Sequence, residues 1–117
     1  MYKISKQFSF SASHQLSLLG KDHPCARLHG HNYLITIHLQ SEKLDKFGFV
    51  KDYKSLRSVK DYIDATLDHR HLNDVLSVVP TSENIARYLY EHFKPELPEL
   101  YAIEVSETPQ TSCIYEP

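Results

Sequence analysis

Two stretches of two-residue alternation, each running out onto histidine, constrain this chain more than any other feature. In residues 2–14 the even positions Ile4, Phe8, Phe10 and Ala12 are apolar, interrupted by Lys6, while Lys3, Ser5, Gln7 and Ser9 fall on the odd side. In residues 29–40 the odd positions Tyr33, Ile35, Ile37 and Leu39 are apolar, and the even ones include Asn32, Thr36, His38 and Gln40. Successive side chains of a strand point to opposite faces, so each stretch predicts a strand with one buried and one wet face. Residues 15–27 between them carry Gly20, Lys21, Asp22 and Pro24 and read as irregular.

The pattern then changes period. After a turn around Asp45 to Gly48, Asp52 is a good N-cap for a helix reaching to about Leu67. Tyr53, Leu56, Val59, Ile63 and Leu67 recur on its inner side, and Lys54, Arg57, Lys60 and Asp61 point outward. A second helix starts after Pro80 with Thr81 or Ser82 as cap, carries Ile85, Tyr88, Leu89 and Phe93, and is closed by Pro95 and Pro98. Residues 101–107 and 111–115 read as strands, with Tyr101, Ile103 and Val105 on one face of the first. The order strand, strand, helix, helix, strand, strand predicts an α+β fold, a four-stranded antiparallel sheet with two helices on one face. No repeat, low-complexity tract or linker divides the 117 residues, which predict a single domain, 1–117.

Bulk composition narrows the function classes. A net charge of −2 gives no basic footprint, so nucleic acid is not an expected partner. No apolar stretch approaches the ~20 residues that span a bilayer, and the N-terminus lacks the apolar run of a signal peptide. The expectation is a cytoplasmic protein that meets no membrane. Cys25 and Cys113 are too few for a disulfide framework.

Histidine is abundant, with eight residues, and unevenly placed. His29 and His31 are two apart on a strand, so both leave its apolar face, and His14 ends the apolar face of the first strand. Three imidazoles thus sit where two core-facing rows run out. Neutral imidazole is a favoured zinc ligand, and three histidines leave the fourth tetrahedral position open, as catalytic zinc sites do. Gly30 between the pair lets the backbone approach closely. The plain alternative is a set of hydrogen-bonded strand-end histidines. His23, His38 and His92 read as surface or capping residues.

Other groups carry weaker chemistry. Cys25 lies four residues before His29, and near Zn²⁺ a thiol ionises readily and serves as base or nucleophile. Its alternatives are a small loop cysteine or a fourth metal ligand. Cys113 reads as a packing residue. Asp68 and His69 are adjacent at the end of the first helix, where a carboxylate can set an imidazole's tautomer and basicity. Such pairs are also common for solvent reasons alone. Glu107 shares the face of Tyr101, Ile103 and Val105 and, if buried, needs a partner such as a ligand with paired N–H donors. Lying past the strand end, it is otherwise solvated. Thr81-Ser82-Glu83-Asn84 reads mainly as helix-start chemistry.

Five blocks then resemble one family in order along the chain. Phe10-Ser11-Ala12-Ser13-His14, Cys25-Ala26-Arg27-Leu28-His29-Gly30-His31-Asn32-Tyr33, Leu67-Asp68-His69, Pro80-Thr81-Ser82-Glu83-Asn84-Ile85 and Val105-Ser106-Glu107-Thr108 are similar to motifs of the 6-pyruvoyl-tetrahydropterin synthase superfamily. The three-residue gap between Cys25 and His29 resembles the bacterial 6-carboxy-5,6,7,8-tetrahydropterin synthases of queuosine precursor synthesis. The resemblance implies a tunnelling fold, with sheets joined around a trimer barrel and two trimers stacked as a homohexamer. It implies a lyase acting on a pterin substrate, 7,8-dihydroneopterin triphosphate, with 6-carboxy-5,6,7,8-tetrahydropterin, acetaldehyde and triphosphate as products. His14, His29 and His31 would then hold Zn²⁺ and Cys25 would be the general base. Asp68 and His69 would be an acid/base dyad lent by a neighbouring subunit, with His71 a competitor for the role of His69. Glu107 would anchor the guanidine-like edge of the pterin. The alternatives are the pyruvoyl-forming activity on the same substrate and a non-catalytic zinc-binding assembly module.

Overall fold

The computed structural model describes residues 1–117. Strand β1 (Tyr2–His14) and strand β2 (His29–Ser41) form one long antiparallel ribbon, in register from Tyr2↔Ser41 to His14↔His29. The irregular segment between them carries two short 3-10 turns, Ser17–Leu19 and Pro24–Ala26. A further 3-10 turn, Tyr53–Leu56, leads into α1 (Arg57–Thr66). Then come β3 (Arg70–His71), α2 (Leu72–Val75), α3 (Ser82–Phe93), β4 (Leu100–Thr108) and β5 (Thr111–Tyr115).

The sheet order is β3-β1-β2-β4-β5, so the expected four antiparallel strands are present but the sheet has five. The addition is β3, only two residues long and parallel to β1 through Ala12↔Arg70 and Ser13↔His71. No run of alternation announces so short a strand, because it is held by its edge position beside β1 rather than by an apolar face of its own. The sheet is therefore mixed. The first helix is also shorter than its pattern suggests. Asp52 does cap, accepting from the Lys54 N–H at 2.9 Å, but the first turn is 3-10 and leaves Tyr53 half exposed instead of in the core.

Both longer helices cover the same face of the sheet. Phe8, Phe10, Tyr33, Ile35, Ile37, Ile103 and Val105 from the strands share one core with Leu56, Val59 and Ile63 on one side and Ile85, Leu89 and Phe93 on the other. Lys6, which interrupts the apolar row of β1, lies with its ammonium over the Phe8 ring and near the Tyr53 carbonyl at 3.4 Å, so the stem is covered and the charge stays wet. The opposite sheet face is polar, with Ser9, Ser11, Asn32 and His38 on it. None of the helices is long and apolar enough to cross a membrane.

Candidate metal centre

Register brings the histidines together. His14 and His29 are directly paired at the end of the ribbon, and His31, paired with Ala12, is one strand repeat further in on the same face. One ligand nitrogen from each of the three rings lies within 4.8 Å of the other two. The rings meet edge to face, with centroids 4.4 Å apart for His14 and His29 and 5.1 Å for His14 and His31. Gly30 makes the approach possible, since a Cβ there would stand 3.3 Å from the Ala12 carbonyl oxygen.

The hydrogen bonds around the rings fix where their lone pairs point. His14 Nδ1 is 2.8 Å from the Pro80 carbonyl oxygen, and His29 Nδ1 is 2.7 Å from the Arg27 carbonyl oxygen. A carbonyl oxygen only accepts, so both Nδ1 atoms carry the proton and both Nε2 atoms carry the lone pair. Those two Nε2 atoms face each other at 2.8 Å. Two lone pairs at that distance repel unless a positive centre, a shared proton or a metal ion, lies between them. With a third imidazole converging on the same point, the donor set fits a zinc ion held by three neutral nitrogens. Burial above all holds His31 below its ordinary histidine pKa, with the Glu107 carboxylate opposing and the two neighbouring rings assisting. Its ring is thereby kept in the neutral form that binds metal.

The other sequence-predicted residues are distributed around this centre. Cys25 sits in the Pro24–Ala26 turn, whose start is capped when the His23 ring accepts from the Cys25 N–H at 3.1 Å. Its sulfur is not among the ligand atoms that cluster, so the three histidines are not closed by a fourth from Cys25. Glu107 lies beside the cluster, with a carboxylate oxygen 3.7 Å from His31 Nε2 and the side chain a quarter exposed. It is neither fully buried nor simply solvated. His38 pairs with Glu104 at 3.3 Å, and His92 stacks on Tyr62 at 3.9 Å between centroids.

Asp68 and His69 do form a pair, Oδ2 to Nδ1 at 2.9 Å, but at the outer edge of β1 rather than on the face of His14. Asp68 accepts from the Ser11 N–H at 3.0 Å, and the His69 N–H donates to the Ser11 carbonyl at 2.6 Å. His69 takes a left-handed backbone, φ 58°, an uncommon conformation for a residue with a Cβ. Its side chain is 81 % exposed and borders a groove of about 440 Å³ with Ser11, Ser13, Gly30, His31, Asn32 and His71. The Ser11 amide above all, and then the His69 ring, hold the Asp68 carboxyl below the usual range. His71 is engaged elsewhere, 2.9 Å from the Ser13 hydroxyl.

Two residues at the centre escape a sequence reading. Tyr33, fully buried, puts its hydroxyl 3.1 Å from His14 Nδ1, and Pro80 supplies the carbonyl on the same atom. Burial, and then the Glu107 carboxylate, push the Tyr33 phenol well above its ordinary pKa, so it stays protonated. A tyrosine in a row of isoleucines and leucines is itself a signal, because a buried phenol needs a polar partner. The Pro80 carbonyl has no signal in side-chain chemistry.

The comparisons agree with this arrangement. The family profile described as 6-pyruvoyl tetrahydropterin synthase matches residues 3–117. A 6-carboxy-5,6,7,8-tetrahydropterin synthase of Synechocystis is 35% identical over 98% of this chain and 93% of its own length. The human 6-pyruvoyl tetrahydrobiopterin synthase is 33% identical over 97% of this chain and 90% of its own. Among solved structures, the Caenorhabditis elegans 6-pyruvoyl tetrahydropterin synthase superposes with a TM-score of 0.87 at 30% identity, covering 99% of this chain and 95% of that one. A full-length profile match, near full-length relatives and a shared fold converge with the three-histidine cluster on one conclusion: the chain belongs to the 6-pyruvoyl tetrahydropterin synthase family.

Proposed function

We propose that this single-domain chain is a zinc-dependent 6-carboxy-5,6,7,8-tetrahydropterin synthase, a carbon–carbon lyase of queuosine precursor synthesis. With water as co-reactant it would convert 7,8-dihydroneopterin triphosphate to 6-carboxy-5,6,7,8-tetrahydropterin with release of acetaldehyde and triphosphate. What carries this reading is the convergence of three imidazole nitrogens on one point without closure by Cys25. Relatives that carry the same enzyme name support the assignment.

His14, His29 and His31 would hold the zinc, which supplies Lewis-acid polarisation of the hydroxyls on the substrate side chain. Cys25 would take the carbon-bound proton there. Asp68 accepts from His69 Nδ1–H and so leaves Nε2 of the exposed ring free to accept or return a proton. Because the dyad hangs at the outer edge of β1, it would serve the centre of a neighbouring subunit, which supports a homo-oligomer and is in keeping with a hexamer of two trimers. Glu107, beside His31, offers a carboxylate to the paired N–H donors of the pterin ring.

The test is to incubate the zinc-loaded protein with 7,8-dihydroneopterin triphosphate and identify products by mass. Acetaldehyde with a carboxylated tetrahydropterin supports the proposal. A pyruvoyl product with no acetaldehyde would move the chain to the other activity of its family, a second reading favoured by the human relative. An unchanged substrate would leave a zinc-binding assembly module.

A further inference from the structure

His14 is the one fully buried ring of the three, and it alone has two oxygen partners on Nδ1, the Pro80 carbonyl and the Tyr33 hydroxyl. Tyr33 reaches it from the next strand. Pro80 reaches it from a point 66 residues away in sequence, so something must aim its carbonyl. The aiming is done by the start of α3. The Asn84 side-chain amide donates to the Val79 carbonyl at 2.9 Å, and the Thr81 N–H donates to the same carbonyl at 2.9 Å. The Thr81 hydroxyl in turn accepts from the Asn84 N–H at 3.2 Å. Pro80 lies between two residues held in this way, and its own φ is fixed by the ring. Its carbonyl has little freedom except to point where it does, onto His14.

We propose that Tyr33 and Asn84 are positioning residues of the metal centre. Tyr33 acts directly, and Asn84 acts through the Val79–Pro80 segment. Together they hold the His14 ring as the Nδ1–H tautomer with Nε2 turned to the ion, and so set the affinity of the site for zinc. The inference rests on the zinc reading of the three histidines. The helix-start block Thr81-Ser82-Glu83-Asn84 thereby has a second task besides capping α3.

The physical basis is the cost of the wrong tautomer. A ring that loses its acceptors on Nδ1 can move its proton to Nε2, where it blocks the ligand lone pair. Partners of this kind typically change metal affinity by about 10–100-fold. Asn84 is exposed, where water competes for the Val79 carbonyl, so its share is the smaller.

Competitive titration of the full-length protein with zinc and a chromophoric chelator tests this, on wild type, Tyr33→Phe and Asn84→Asp. Asn84→Asp is chosen because an acid in the first turn of a helix suits the helix while it removes the amide donor. The expected result is a fall in zinc affinity of about tenfold for Tyr33→Phe and about threefold for Asn84→Asp. The melting temperature of the zinc-free Asn84→Asp protein should stay equal to or above that of wild type. A helix cap with no other task predicts unchanged zinc affinity, and that result would overturn the Asn84 assignment. Unchanged affinity in both variants overturns the proposal and leaves the zinc site standing, whereas a wild-type protein that takes up no zinc overturns both. Should a variant fail to fold, ¹⁵N-histidine spectra of zinc-free wild type and of the other variant at mildly alkaline pH decide the matter. A protonated Nε2 on His14 of wild type ends the proposal, and a protonated Nδ1 sustains it only when the Nε2–H form grows in the variant that does fold; an unchanged tautomer there overturns it.

Discussion

His14 and His29 stand opposite each other at the last pair of the β1–β2 ribbon, with their Nε2 atoms 2.8 Å apart. The three-histidine cluster is therefore a consequence of strand register. A slip of one residue would send His29 and His31 to the polar face and bury Gly30 and Asn32 in their place. What prevents the slip is the buried row Tyr33, Ile35, Ile37 and Leu39, each without exposed surface.

Removing one ring should separate the ion from the fold. His29 is half-buried at the ribbon end and lies outside the apolar core, packing only on the His14 and His31 rings, so His29→Ala should shift the melting temperature of the zinc-free protein by no more than about 4 °C. Wild type should gain about 2.7 kcal/mol of stability with free zinc at 100 times its dissociation constant, and His29→Ala should gain none. Metal analysis with thermal melts, with and without zinc, checks both statements.

Gly30→Ala should weaken the same centre by a different route. Alanine normally favours a strand over glycine, but here the new methyl meets the Ala12 carbonyl oxygen at 3.3 Å. That oxygen belongs to the paired ribbon and cannot retreat without straining the His31↔Ala12 pair. A destabilisation of about 1–2 kcal/mol is expected, together with a loss of zinc affinity, read from denaturant unfolding and chelator titration.

The long elements and the meeting of the three histidines were legible in the sequence because both depend on local period. Alternation marked β1 and β2 to within a residue, and parity put His14, His29 and His31 on one face. Asp52 was visible as a cap for the same reason, and the second cap was narrowed to Thr81 or Ser82, of which Thr81 does the capping, the side chains acting two or three residues away. What stayed hidden depends on contacts distant in sequence. β3 exists because residues 70 and 71 lie against 12 and 13. The tautomer of His14 is set by a backbone carbonyl 66 residues on, which no side-chain pattern encodes. The face taken by Asp68 and His69 depends on the Ser11 backbone and on a left-handed turn at a histidine, where the residue type gives little warning.

Cys25→Ala should spare structure and metal while it removes turnover. The turn that carries Cys25 is held by backbone, its carbonyl accepting from the Leu16 N–H at 3.0 Å and its N–H donating to the His23 ring. Alanine keeps both bonds. Zinc content and melting temperature should match wild type, and kcat should fall by at least about 100-fold, the usual minimum for loss of a general base. Steady-state kinetics beside metal analysis makes the comparison.

Asp68 should couple the β1 edge to pH. Its carboxyl is held below the ordinary value by the Ser11 amide and by His69, so the folded chain prefers the ionised form more than the unfolded chain does. A depressed folded pKa means the stabilisation is present in full above the unfolded value near ~3.9 and is lost as pH falls through the folded value. Asp68→Asn keeps an acceptor for the Ser11 N–H but carries no charge for His69. The wild type should therefore lose stability faster than Asp68→Asn on acidification below about pH 4. Carbon-13 titration of the Asp68 carboxyl, with denaturant melts at each pH, measures both sides of the linkage. A carboxyl that titrates at or above the ordinary aspartate value would mean that the Ser11–Asp68–His69 contact does not hold the turn in solution.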